Sequence, residues 1–489
     1  MGVLKNYSIY AVGSIAQSAA SALLFPFYLV FLTPTEFGAI ALITVVSEFL
    51  LLFSALGLET GLNRLYYESK ERQNDLVVSV LLLRVGLAGV VLVASCVAPG
   101  RLSHAILGTE EYARSIPLVA GYVLAHGVLG TILFTYRLDQ RATAFVVFSL
   151  LAAVVGCGLK VLFIGVYRLG VEGYWIAALV TDVILVVPML LQGSGRYLRG
   201  RPTSALLREM LVIGFPMTFA ALGGIAVNMS GQYALNRFAG TELVGIYAAA
   251  TRIASMFAML LSYPIAAWWG PHVLSEAERS GPGRLRELLA NYLRVLIAVG
   301  VVLLGLISLG GALIVWFPIH ESYRSAVPLV GLCILPLLIQ VLSYPFTTQF
   351  IYAKRTHYFA SGGVLTGAVA IVLNALVTPY WGIGGVILAN VAAAFAGTML
   401  YYAGGRREFP VAYDWKPVWT NGALVMGYVA CAVAAMSPGA SISTHVVLFA
   451  ALMLSLGALA ANRRVWHMFS WRISNFISER TRNGGESWF

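Results

Sequence analysis

The sequence predicts an all-α polytopic membrane protein of about fourteen transmembrane helices, built as two parallel six-helix repeats with a further C-terminal helix pair. Three observations predict it: little charge, long apolar runs and an internal echo. Only 11% of the 489 residues are charged and 59% are hydrophobic. The mean hydropathy is +0.82, so the chain lacks the charged skin that a water-soluble protein of this size needs. Apolar runs of roughly 18 or more residues, each able to cross a ~30 Å hydrocarbon core, recur along almost the whole length. They are too long and too uniformly apolar for alternating barrel strands, so the spans are helices, which satisfy their own backbone groups.

In chain order the predicted spans lie near 8–32, 37–60, 76–98, 115–136, 144–166, 171–191, 210–235, 243–271, 292–317, 326–351, 358–379, 383–403, 419–436 and 444–462. The first is about 25 residues long, more than the apolar part of a cleavable signal. With the N-terminus in the cytoplasm, 23 of the 32 Lys and Arg fall on the cytoplasmic side. Outer loops hold Arg101, Arg114, Arg168, Arg237 and Arg324, while Arg84, Lys160, Arg252 and Arg294 lie inside spans. Such an asymmetry is the positive-inside signal and places both termini in the cytoplasm. It also accounts for the +11 net charge as an orientation device rather than a nucleic-acid surface. Every loop is too short for a folded domain. The tail 463–489 carries Val465, Trp466, Phe469, Ile473, Phe476 and Ile477 on one helical face, as expected of a segment lying on the inner membrane surface.

The echo is "EEYARSIPLVAG" at 110–121 against "ESYRSAVPLVGL" at 321–332. Further along, "PTEFG" at 34–38 matches "GTELVG" at 240–245, and Glu68 matches Glu276. Arg84-Val85 matches Arg294-Val295, and Gly170 and Gly173 match Gly382 and Gly385. The order is kept throughout. Residues 1–195 therefore form an N-terminal six-helix bundle and 210–405 a second, joined by a cytoplasmic linker at 196–209 and followed by helices 13 and 14 at 419–462. Six is even, so both halves enter the membrane in the same direction. The expected relation is a rotation about the membrane normal, a transporter plan with a cleft between the halves.

Three stretches, "LTPTEFGAIAL", "GLETGLNRLYYE" and "GTELVGIYAAATRI", resemble the Wzx-type O-antigen and capsule flippases, the polysaccharide transporter family of the MOP superfamily, which also contains the MATE exporters. Glu36, Phe37, Gly38, Gly57, Arg64, Tyr66, Glu68, Gly245, Tyr247, Ala250 and Arg252 fit that family's pattern. The resemblance implies a transporter of the bacterial cytoplasmic membrane. Its cargo would be an undecaprenyl-pyrophosphate-linked oligosaccharide, moved from the inner to the outer leaflet by alternating access. Membrane lipids, and other polysaccharide-assembly proteins, are the implied partners. Many relatives carry an acidic residue late in helix 7, where this chain has Asn236 and Arg237, which leaves a coupling carboxylate there unsupported.

No P-loop, HExxH or nucleophile elbow is present, the seven histidines are scattered, and the four cysteines lie singly. Neither catalysis nor a metal or other cofactor is expected, beyond coupling to an H+ or Na+ gradient. The informative residues are charges inside spans, each costing roughly 2.5–3.5 kcal/mol at a helix centre unless it meets a cavity or partner. Arg252, Lys160, Arg84 and Arg64 are the candidate cationic contacts for the pyrophosphate. A structural ion pair competes as an explanation at Arg252, snorkelling at Lys160, and anchoring at Arg64. Asn228, Gln232 and Asn236 form, with Ser230, a polar stripe suited to sugar hydroxyls or to interhelix hydrogen bonds. Glu48 and Asp182 are the ion-coupling candidates, and Glu48 and Arg252 fall at similar depth on equivalent helices. A MATE-like exporter of cationic drugs would instead need acids to dominate the cavity. A membrane glycosyltransferase or polymerase would need a larger outer loop.

Overall fold

The computed structural model describes residues 23–68, 70–192, 200–312, 319–355, 357–435 and 444–462, all helices and short connections with no strand among them. Most of the first predicted span, part of the 196–209 linker and the tail 463–489 lie outside the described residues. After α1 (23–31) come α2 (Pro34–Ala55), α3 (Leu58–Leu65), α4 (Gln73–Val97), α5 (Pro99–Leu107), α6 (Ser115–Leu138) and α7 (Ala142–Lys160). Then follow α8 (Gly170–Gln192), α9 (Ser204–Ala239), α10 (Thr241–Ala312), α11 (Val327–Leu342), α12 (Tyr344–Tyr352), α13 (His357–Glu408), α14 (Lys416–Ala435) and α15 (Thr444–Ala461).

Local chemistry sets the boundaries. Thr33 caps α2 in a reciprocal box with Glu36, and Pro34 fills the first turn, where no amide proton is needed. The predicted single span 37–60 is broken: Leu56 and Gly57 both adopt positive φ, 44° and 73°, and a new helix starts at Leu58. The predicted outer loop 99–114 contains α5, which begins with Pro99 and ends at Gly108 in the left-handed conformation. Beyond Lys160, α7 widens into a π-helical turn at Val161–Val166.

Among the described residues nine helices are long and apolar enough to cross a membrane, or ten if Ser204–Phe215 and Met217–Ala239, bent by 43°, make one span. The expected count of fourteen is not reached, partly because neighbouring spans run together. α13 has 52 residues with a non-helical break at Gly382. At 1.5 Å per residue it is ~78 Å long, more than twice the ~30 Å hydrocarbon core, so it makes two passes. The last apolar helix is short, Ala450–Ala461. Val90, Val93 and Val97 on α4 are 70%, 64% and 79% exposed, a face for lipid rather than water.

The chain forms two compact units, Met1–Ala249 with Phe317–Arg324 and Phe359–Gly397, and Ala250–Trp316 with Ser325–Tyr358 and Thr398–Phe489. In the first, Leu58, Leu62, Tyr66, Val77, Ile132, Met189 and Met210 build a core between α3, α4, α6, α8 and α9. In the second, Val273, Leu285, Leu289, Tyr292, Val341 and Phe409 do so.

Within the first unit the echoed motifs touch. A Cβ on Gly38 would sit 2.1 Å from the Thr241 carbonyl oxygen, and one on Gly245 would sit 1.8 Å from that of Pro34. The contact is reciprocal between equivalent residues, and only glycine lets the two backbones approach so closely. Gly57 and Gly214 make a second contact of this kind. Gly170 and Gly382, matched in the sequence echo, share a φ of 53°.

Candidate functional site

Two charged sites lie in the helices of the first unit. The break after α2 places Glu59 in the first turn of α3, facing Arg84 of α4. Arg84 is 6% exposed, and its Nη1 donates to Glu59 Oε1 at 3.0 Å, to the Gly127 carbonyl at 3.0 Å and to Thr131 Oγ1 at 2.8 Å. Gly127 makes the room, since a Cβ there would lie 3.1 Å from Arg84 Nε. A buried cation is tolerable only with such partners. The guanidinium predicted to meet substrate is thus engaged with an acid that the sequence pattern did not single out. At that break Gly57 packs against Gly214.

The second site gathers residues predicted separately. Asp182, 5% exposed in the middle of α8, lies 3.0 Å from His126 Nδ1 on α6. The imidazole stacks on Tyr122, one turn earlier, at 4.9 Å between centroids. Tyr122 meets Trp175 edge-on at 5.4 Å, and Trp175 meets Tyr174 at 5.2 Å. Lys160 Nζ lies over the Tyr174 ring at 4.6 Å, a cation–π contact, at the point where α7 passes into its π turn. Lys160 and Asp182 therefore share one aromatic cluster. A lone histidine among apolar residues gave no pattern by which His126 could have been found.

The stripe on α9 divides. Asn228 is exposed, and Gln232 has its Oε1 buried without a partner. Asn236 Nδ2 donates to the Leu107 carbonyl at 3.1 Å while its Oδ1 accepts from Thr241 Oγ1 at 2.7 Å. Ser230 accepts from Asn374 Nδ2 at 3.1 Å. Asn374 Nδ2 also donates to Asn390 Oδ1 at 3.3 Å, and Asn390 Nδ2 to the Tyr247 hydroxyl at 3.1 Å. This buried network is neutral throughout.

Arg252 and Arg64 are exposed. Glu48, also exposed, belongs to the first unit and Arg252 to the second. Where α1 meets α2, the Tyr323 hydroxyl donates to the Leu32 carbonyl at 3.3 Å. Its counterpart in the echoed motif, Tyr112, has its hydroxyl pushed up to about 12 by burial, then by Glu111 and Glu36. Among the described residues no group of three or more His, Cys, Asp or Glu is placed to hold a metal ion.

The family described as polysaccharide biosynthesis protein matches residues 3–273. No curated protein sequence gives a significant match. An inward-facing multidrug resistance MATE family transporter of the MOP superfamily is similar in structure, with a TM-score of 0.69 at 14% identity, covering 80% of this chain and 94% of that one. The lipid II flippase MurJ, in an inward closed conformation, gives 0.68 at 12% identity, covering 95% and 99%. A MATE in complex with MaD3S gives 0.56 at 16% identity, covering 83% and 95%. At these identities the likeness is one of fold: the MOP architecture.

Proposed function

The chain belongs to the polysaccharide biosynthesis protein family, and from that premise we propose that it flips a lipid-linked oligosaccharide from the inner to the outer leaflet of the bacterial cytoplasmic membrane by alternating access. Residues 1–195 and 210–405 act as the two bundles, related by rotation about the membrane normal, with 196–209 as their cytoplasmic linker. The pair 419–462 and the tail 463–489 are additions, and both termini are cytoplasmic. Arg252 holds the pyrophosphate, since its planar fork suits phosphate oxygens, while Lys160 and Arg64 guide it. Asn228, Gln232 and Asn236 meet glycan hydroxyls. Glu48 and Asp182 couple transport to an H+ or Na+ gradient.

The observation that supports this reading best is the cluster of Lys160 and Asp182, with His126 against the carboxylate, inside the spans of a chain with this fold. A transporter needs such residues; a scaffold does not. The acids Glu48, Glu59 and Asp182 also fit export of a cationic small molecule, the second reading. The two are separated in proteoliposomes offered a polyprenyl-pyrophosphate oligosaccharide or a cationic dye. The first reading expects movement of the glycan lipid, abolished in folded Arg252→Ala and partly restored in Arg252→Lys. Dye movement without glycan-lipid movement would replace it with the second.

A further inference from the structure

The Arg84 guanidinium holds its partners unevenly. Nη1 carries two protons, yet three acceptors stand within 3.0 Å of it: Glu59 Oε1, the Gly127 carbonyl and Thr131 Oγ1. Nε carries one proton, is buried and has no hydrogen-bond partner among the described residues. Gly127 and Thr131 are fixed on α6, where the threonine hydroxyl itself donates to the Gly127 carbonyl at 3.0 Å. Glu59 is the acceptor free to leave. Its side chain is 40% exposed, against 7% for Arg84, so its carboxylate has water to move into. It also meets the guanidinium through one oxygen on one nitrogen, not as a two-pronged fork. Without it, Nη1 keeps two acceptors for two protons.

What replaces Glu59 must be an anion. Arg84 lies eleven residues beyond Gln73, the first residue of α4, or ~16 Å of helix rise. A buried cation there is costly once its acid is gone. The start of α3 adds the same preference. Gly57, at φ 73°, begins a new helix that no side chain caps, and Glu59 stands in its first turn. The first amide protons of a helix have no partner within it, and its dipole favours negative charge beside them. Interrupted helices within membranes meet the anionic groups of substrates in this way. A buried guanidinium with an unused donor and an uncapped helix start therefore converge on one carboxylate.

We propose that Glu59 is a built-in stand-in for an anionic ligand: a phosphate-type oxyanion displaces it from Arg84 and sits between the guanidinium and the first turn of α3. The Glu59 carboxylate swings into water with its charge. The oxyanion brings negative charge in, so Arg84 stays compensated throughout the exchange. A tetrahedral phosphoryl group spans two guanidinium nitrogens, which the single oxygen of Glu59 does not. The site lies wholly in the first unit. That the oxyanion is a lipid-linked pyrophosphate rests on the function proposed above; the exchange itself does not.

The test is calorimetric titration of inorganic pyrophosphate, free of divalent metal, into full-length protein in nanodiscs of zwitterionic lipid. It is run in the wild-type and Arg252→Ala backgrounds, so that binding at Arg252 does not mask the site. Glu59→Gln keeps an acceptor for Arg84 but removes the competing charge. It should bind pyrophosphate at least fivefold more tightly than the parent in both backgrounds. Adding Arg84→Lys, which keeps the charge but not the fork, should abolish that gain. Glu59→Asp, whose shorter side chain reaches less far, serves if Glu59→Gln does not fold. The neutral pair Glu59→Gln/Arg84→Met serves if the lysine variant does not fold. Binding in Glu59→Gln that is absent, or no tighter than in the parent, overturns the proposal. A gain that survives the change at Arg84 does the same. If the wild type moves no glycan lipid in proteoliposomes, the function proposed above falls, and the calorimetry still decides the exchange.

Discussion

Arg84 and Arg294 are equivalent positions of the two repeats, and each meets a carboxylate, but in opposite surroundings. Arg84 is buried, its side chain 7% exposed, against Glu59 at 40%. Arg294 is 38% exposed and its partner Asp414, at 2.7 Å, is 49% exposed. One motif thus serves as an internal brace in the first repeat and as a water-facing clasp in the second. Water decides what each pair contributes. A buried cation that loses its acid cannot be solvated, whereas an exposed one can.

The contrast is broken most sharply at Glu59. Glu59→Ala strands the Arg84 charge and is expected to cost about 3–5 kcal/mol, read as thermal unfolding in nanodiscs. Arg84→Met should cost less, because the acid it leaves behind is partly exposed. Equal losses in the two variants would show that water reaches Arg84. Next in size is the contact between the echoed motifs. Gly245→Ala forces a methyl into the Pro34 carbonyl and should cost about 1–3 kcal/mol, with Gly38→Ala similar. Wild-type stability in both would mean that the helices part freely.

The clasp gives the smallest effect, and its sign is set by Asp414. The Lys416 backbone N–H, then the Arg294 guanidinium, hold its carboxyl below the ordinary 3.8. A depressed carboxylate contributes stability that is present above its unfolded value and lost as pH falls through its folded value. Asp414→Asn should therefore match the wild type below that window and be slightly less stable at neutral pH. A difference that grows on acidification would reverse the assignment.

Much of this was legible in the residues, and what was not has physical causes. Hydropathy carried the helices, and the matched glycines Gly170 and Gly382 share a φ of 53°. Ten positions separate Lys160 from Gly170 but eight separate Asn374 from Gly382. The wider π turn at Val161–Val166 takes up the longer segment. α5 carries its signals, Pro99 at one end and Gly108 at the other, but its nine residues are too few to stand out from a loop. The break at Leu56 is hidden in the sequence, since leucine rarely adopts positive φ and Gly214, against which Gly57 packs, lies over 150 positions away. Glu59 was overlooked with it. His126 acquires meaning only when α6 and α8 pack, because its partner lies 56 residues on.

The same comparison extends to the polar interiors. Lys160 lies over an aromatic ring, while Asn374, its counterpart, joins a neutral amide network. By the offsets of the echoed Pro117 and Gly170, the second-repeat positions matching Tyr122, His126 and Asp182 are Cys333, Leu337 and Ala394. The charge of the Lys160–Asp182 cluster is therefore without a counterpart at the matching second-repeat positions, and the central claim is that transport of a lipid-linked oligosaccharide depends on it. The most direct measurement compares inner-to-outer movement of a polyprenyl-pyrophosphate oligosaccharide in proteoliposomes holding wild type, Asp182→Asn or Asn390→Leu, each checked for folding. The account predicts at least a tenfold loss in Asp182→Asn, with Asn390→Leu keeping half or more of the wild-type rate. Equal losses in both variants, or full activity in Asp182→Asn, would contradict it.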